Sequence, residues 1–174
     1  MIFAATKIPG AFVIDLEKIE DDRGFFARSY CRDEFAQQDI IFTPVQSNIS
    51  QNKKAGTLRG MHYQKAPYEE AKLVRCSRGR IFDVAIDLRP ASAAYKKWVG
   101  VELGAENNRS FFIPEGCAHG FLTFDDDTEI IYQMGREYVP GTGAGVRWND
   151  PAFAIDWPFE PVIISERDAG YPLV

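Results

Sequence analysis

The chain has 174 residues and a net charge of −5, with 20 Lys and Arg scattered among 25 Asp and Glu. That length reads as one domain, residues 1–174, with room for a real core, and the scattered bases argue against the basic patch that a nucleic-acid surface needs. No stretch approaches the roughly 18 apolar residues of a membrane span and no basic run precedes an apolar leader, so the expectation is a soluble, cytoplasmic protein with no membrane partner.

Strand signals dominate from the N-terminus onward. Short apolar or alternating runs fall at 11–16, 72–76, 80–88, 98–103, 110–113, 120–124 and 129–134, separated by turn signals such as Arg78-Gly79, Glu115-Gly116 and Pro140-Gly141. The clearest is 80–88 (RIFDVAIDL), which sets Phe82, Val84, Ile86 and Leu88 on one face and Ile81, Asp83, Ala85 and Asp87 on the other. Spacing of this kind predicts an all-β sandwich or barrel. Ahead of the C-terminal tail the one helix signal is about two turns over 31–38 (CRDEFAQQ), too short for a helical layer.

Cysteine and histidine are scarce. Cys31, Cys76 and Cys117 are odd in number and show no CxxC spacing, so neither a disulfide framework nor a zinc site is indicated and packing is their expected role. His62 and His119 are the only histidines, each beside a glycine at what reads as a turn-to-strand junction. Proton chemistry near neutral pH therefore has few histidine candidates. Two histidines plus a carboxylate leave a metal-dependent cupin open, although the usual HxH pair followed by Glu and a distant His is absent.

A small jelly roll can hold a ligand between its sheets, and charged inward positions mark the place. Arg59 and His62 lie three apart around the end of a strand, Lys72 opens the next strand, Asp83 and Asp87 share a face, and Tyr132 is embedded in an apolar run. Each also has an ordinary explanation. A strand Lys or Arg is usually solvated, and a strand Tyr is usually a core residue with its hydroxyl bonded.

Seven runs in order carry a more specific signal: DDRGFF (21–26), QSNIS (46–50), LRGMHYQ (58–64), KLVRC (72–76), FDVAIDLR (82–89), IPEGCAHGF (113–121) and WNDP (148–151). Together they resemble the dTDP-4-dehydrorhamnose 3,5-epimerase family over about residues 8–172. The resemblance implies a cupin-like double-sheet jelly roll with a few short helices. It implies an enzyme that needs no metal or other cofactor, a homodimer exchanging N-terminal strands, and a nucleoside-diphosphate 4-keto-6-deoxysugar inverted at C3 and C5. By the same resemblance His62 is the base, Asp168 its carboxylate partner, Tyr132 the proton donor and Lys72 the positive charge near the enolate oxygen. Arg23 and Arg59 match phosphate contacts, Gln46 and Asn48 polar contacts, Phe26 and Tyr138 aromatic positions, and His119 a binding position. Three places depart from the family pattern: Arg28 and Gly143 stand where acidic residues are expected, and 68–71 (YEEA) is more acidic than usual. These departures leave the nucleotide and sugar open. An epimerase acting at one carbon, a keto-isomerase on a CDP- or GDP-sugar and a non-catalytic sugar-nucleotide binding module stay in view as alternatives.

Overall fold

The computed structural model describes residues 1–174 and consists of strands in two stacked sheets, with two short helices. One sheet holds, side by side, β1 (Ile2–Ala5), β2 (Phe12–Asp15), β10 (Ser110–Ile113), β7 (Lys72–Arg78), β12 (Thr128–Met134) and β5 (Gln46–Asn52). The second holds β13 (Gly143–Gly145), β6 (Thr57–Gln64), β11 (Cys117–Thr123), β8 (Arg80–Asp87) and β9 (Trp98–Gly104). The two-residue strand β14 (Ile163–Ile164) runs parallel to the start of β6. β3 (Ile19–Asp21) and β4 (Gly24–Phe26) form a hairpin apart from both sheets. This is an all-β double-sheet jelly roll.

Alternation decides what each strand buries. On β8, Ile81 and Ala85 join Val74, Leu103, Phe111, Phe121 and Ile130 in the apolar layer between the sheets. Val84 and Ile86 point the other way, into a second cluster with Met61, Ala118 and Phe153 that covers the outer face. The expected phase of 80–88 is therefore the observed one, and both of its faces are buried. Removing a fully buried ring such as Phe111 or Phe121 from water contributes about 2 kcal/mol or more apiece.

The six-stranded sheet has its own outer cover. α1 (Arg32–Ala36) lays Phe35 against Phe42, stacked at 5.9 Å, and edge-on to Phe112 at 5.7 Å. The helix is shorter than the two turns expected over 31–38, because it closes on i→i+3 bonds from the Gln38 and Asp39 N–H groups to the Phe35 and Ala36 carbonyls and Asp39 turns to a positive φ of 58°. Strands β5 and β6 carry too many polar residues, and in β6 a glycine, to register as alternating runs. Both are nonetheless long strands that border the inter-sheet space.

Neither histidine stands at a strand junction. His62 lies within β6 and His119 within β11, which begins three residues before the expected 120–124, and the two are directly paired across the ladder. Arg59 is likewise inside β6 and not at its end. The pairing shifts register between His119 and Phe121, opposite Arg59 to His62, so β6 carries an extra residue there. Gly60 and Gly120 meet at this bulge. A Cβ on Gly60 would lie 2.6 Å from the Gly120 Cα, so neither position has space for a side chain. Without the bulge, residues three apart would face opposite sides of the sheet. With it, Arg59 and His62 face the same cavity.

Candidate active site

At one end the inter-sheet layer changes from apolar to polar. A cavity of about 410 Å³ opens there, walled by Asn48, Arg59, His62, Glu70, Lys72, His119, Tyr132 and Tyr138, with Gly143 and Arg167 at its border. The change follows the strands themselves. Lys72 is two residues from the core Val74 on β7, Tyr132 two from Ile130 on β12, and His119 two from both Cys117 and Phe121 on β11. One row of inward positions is thus apolar and the next is polar and lines the cavity.

His62 is held by a partner 106 residues away. Its Nε2 lies 2.8 Å from Asp168 Oδ1, while Asp168 Oδ2 accepts a hydrogen bond from the Gly60 N–H at 3.2 Å. Asp168 belongs to α2 (Glu166–Ala169), whose first turn is capped by Ser165 Oγ accepting from the Asp168 N–H. The short strand β14 lays this helix along β6, which delivers Asp168 to the bulge. Burial pushes the Asp168 carboxyl up, but the hydrogen bonds from His62, the Gly60 N–H and Ser165 outweigh it and leave the carboxyl below its ordinary value. An ionised, buried acceptor of this kind fixes the tautomer of the imidazole and favours the imidazolium formed on proton uptake. Tyr171 packs edge-on against the His62 ring at 6.1 Å.

The second histidine has its own carboxylate. His119 Nε2 lies 2.7 Å from Asp83 Oδ1, and Asp83 is fully buried. Burial raises the Asp83 carboxyl, with the nearby His119 and Lys72 acting against that rise. The two histidines therefore face the same space with separate partners. No group of three or more His, Cys, Asp or Glu side chains stands close enough together to hold a metal ion.

Tyr132 looks into the cavity from the opposite sheet. Burial pushes its phenol well above the ordinary tyrosine value, and the negative Asp83 adds to the shift. The hydroxyl is held in its protonated form. Lys72 Nζ donates to the His62 carbonyl at 3.1 Å and stands 3.2 Å from Glu70 Oε1. Arg59 Nε donates to Asn52 Oδ1 at 2.8 Å, which orients the guanidinium along the cavity edge. Gln46 donates to Asn48 and accepts from the Tyr138 N–H, tying two of the expected contacts to the loop that carries the aromatic ring.

Nine of the eleven expected site residues thus converge: His62, Tyr132, Lys72, Asn48, Arg59, His119 and Tyr138 line the cavity, Asp168 backs it and Gln46 supports it. Arg23 and Phe26 do not converge within this chain. They sit on the β3–β4 hairpin, where Phe26 is 73% exposed and the Arg23 side chain is paired only with Asp21. Glu70 and Arg167 are cavity residues that the expected set omits. Arg167 had a signal in its place beside Asp168, and Glu70 in its place two before Lys72. Among the departures from the family pattern, Gly143 borders the cavity, whereas Arg28 is engaged with Glu34 at 2.7 Å and is not among the cavity residues.

Comparison with known proteins points the same way. The family model described as dTDP-4-dehydrorhamnose 3,5-epimerase matches residues 5–174. The chain belongs to this family. It is 42% identical to the dTDP-4-dehydrorhamnose 3,5-epimerase of Salmonella typhimurium over 178 residues, covering 100% of this chain and 96% of that protein. Among solved structures, the epimerase of Bacillus anthracis with TDP and pyrophosphate bound superposes with a TM-score of 0.94 at 37% identity, covering 99% of both chains. The epimerase of Legionella pneumophila in complex with dTDP-4-keto-L-rhamnose gives 0.92 at 37% identity, covering 99% of this chain and 92% of that one. The jelly roll is accordingly the cupin-like one of these epimerases. No helix of the chain is long and apolar enough to cross a membrane.

Proposed function

We propose that the chain is an isomerase that inverts C3 and C5 of dTDP-4-dehydro-6-deoxyglucose, giving dTDP-4-dehydrorhamnose. One observation carries the reading: a carboxylate-backed histidine on β6 and a protonated tyrosine on β12 face a common cavity from opposing sheets. A C–H beside a ketone is a weak acid, so its removal needs a base and a charge to stabilise the enolate. His62 takes the proton and Lys72 faces the enolate oxygen. Inversion then requires a proton from the opposite face of the ring, and Tyr132 supplies it. Arg59 and Arg167 at the cavity edge suit the diphosphate, since a guanidinium fork meets two phosphate oxygens at once. Tyr138, 59% exposed at the rim, offers a ring face for the nucleobase.

The test is NMR of 4-keto-6-deoxy nucleotide sugars incubated with the protein in deuterated water. Deuterium enters C3 and C5 of the dTDP compound, with inverted configuration at both; absence of exchange at either carbon sinks the reading. CDP- and GDP-linked sugars in the same experiment measure nucleotide preference, which Gly143 in place of an acidic residue leaves less constrained. Tyr132→Phe separates the two half-steps. It keeps exchange at C5 within about tenfold of the unaltered rate while inversion falls by two to three orders of magnitude, roughly the worth of one general acid. Equal loss of both overturns the donor role.

The assembly belongs to the same proposal. The hairpin exposes Ile19, Phe25 and Phe26 to solvent, and a second copy of the chain that exchanges N-terminal strands brings Arg23 and Phe26 to a cavity they do not reach in their own chain. Sedimentation at micromolar concentration gives a dimer of the 19.6 kDa chain; a monomer that is fully active rejects it. We read residues 1–174 as one domain, because both sheets contribute to one apolar layer. Three free thiols at Cys31, Cys76 and Cys117 fit a reducing, cytoplasmic compartment.

A further inference from the structure

Glu70 is a buried acid that neither the proton transfer nor phosphate binding uses. Its side chain is 5% exposed and forms part of the cavity wall beside His62 and Lys72. One carboxylate oxygen, Oε1, stands 3.2 Å from Lys72 Nζ; the other, Oε2, is buried and has no hydrogen-bond partner. A buried acceptor left unpaired is costly, and ionised ones are rarely tolerated without donors. The loop that carries it is not free to relax the strain. Gln64 pins that loop by donating to the Tyr68 carbonyl, and the Gly135 N–H holds the Ala71 carbonyl at 2.9 Å. Glu70 therefore stands in the cavity wall with an acceptor that no group of the chain uses.

The chemistry of the substrate says which donor fits. On the proposed function, Lys72 faces the oxygen on C4. The two carbons flanking that ketone differ: C5 carries a methyl group and the ring oxygen, neither of which donates a hydrogen bond, whereas C3 carries a hydroxyl. A carboxylate alongside Lys72 has only the 3-hydroxyl to accept from on the atoms next to the ketone. We propose that Glu70 accepts a hydrogen bond from the sugar 3-hydroxyl, and so governs inversion at C3 separately from inversion at C5. The 3-hydroxyl is the group that changes direction when C3 inverts. A fixed acceptor for it favours one configuration at that carbon and leaves C5 indifferent. This rests on the epimerase reading and extends it to a residue that sets which carbons turn over.

The experiment follows deuterium entry and configuration at each carbon for the unaltered protein and for Glu70→Gln. Expected is a loss of roughly ten- to hundredfold in inversion at C3, the range for a hydrogen bond to a charged group, with C5 exchange kept within about threefold. Equal losses at the two carbons make Glu70 only a support for Lys72 and overturn the proposal. Because removing one partner of a buried ion pair can unfold a protein, a 3-deoxy version of the sugar provides a second measurement on the unaltered enzyme. With it, KM rises by a comparable factor while C5 exchange persists, and Glu70→Gln adds no further loss. An unchanged KM for the 3-deoxy sugar also overturns the proposal. Failure of the unaltered protein to exchange either carbon of the normal sugar counts against the epimerase reading itself, and is thereby distinguished.

Discussion

His62→Ala abolishes solvent-proton exchange at both C3 and C5, with a loss of about 10³–10⁴-fold, near the upper end of what one positioned base supplies. The expected loss is large because no other group can take over. His119, the only other imidazole, is turned to Asp83 at 2.7 Å, and Lys72 is committed to Glu70 and the His62 carbonyl. Stability falls only modestly. The His62 side chain is 40% exposed and sits at the cavity surface, so truncation creates no closed void, but it takes one donor from the buried Asp168 carboxylate, which keeps the Gly60 N–H, at a cost of about 1–3 kcal/mol. The pairing of a near-complete activity loss with a protein that still folds is the signature to measure. Exchange at the unaltered rate in a folded His62→Ala protein removes histidine from the base role altogether.

Asp168→Asn is the second large effect, and it acts on both activity and stability. The amide can present its NH2 to His62 and so hold the imidazole in the wrong tautomer, and it offers no charge to the imidazolium; a loss of about 10³–10⁴-fold in kcat is the scale for such a partner. KM changes little, because Asp168 lies behind the base and not against the substrate. On stability, the Asp168 carboxylate is almost fully buried and accepts from His62 and the Gly60 N–H. Weakening these contacts costs about 1–3 kcal/mol. The pH dependence follows from the direction of its shift. A carboxyl held below its ordinary value contributes stability that is fully present above about pH 4, the value in the unfolded chain, and that is lost as pH falls through the lower value of the folded protein. Melting temperatures of the unaltered protein should therefore decline on acidification below about pH 4 more steeply than those of Asp168→Asn. Parallel acid profiles show that folding does not hold this carboxyl below its ordinary value.

The two substitutions isolate different links. On the proposed mechanism the first removes the atom that takes the proton, and the second leaves that atom in place and removes what orients it. Their combination should cost little more than His62→Ala alone, since side chains acting as one unit are not additive.

How much of this was legible beforehand depends on the range of each signal. The alternation of residues 80–88 identified β8 and its two faces correctly, because a strand's period of two is a local property of the pleat. The same logic singled out Lys72, Asp83 and Tyr132 as polar groups among inward apolar ones. It could not place β5 and β6, whose polar and glycine residues serve the cavity and break the hydrophobic pattern. Nor could it put Arg59 and His62 on one face. Three residues of spacing on a regular strand predict the opposite, and only the bulge where Gly60 meets Gly120 reverses the phase.

Composition, alternation and the ordered motifs by themselves determined the all-β class, the family resemblance and most of the residues that surround the cavity. The tertiary structure alone decided that His119 takes Asp83 as its partner, that Tyr132 confronts His62 from the other sheet, and that Glu70 is buried with an acceptor to spare. It also separated Arg23 and Phe26 from the nine residues that converge within the chain. The physical reason is range. Side-chain direction along a strand is set by neighbours in sequence, whereas hydrogen-bond partners, burial and charge environment are set by groups that meet only when the sheets stack.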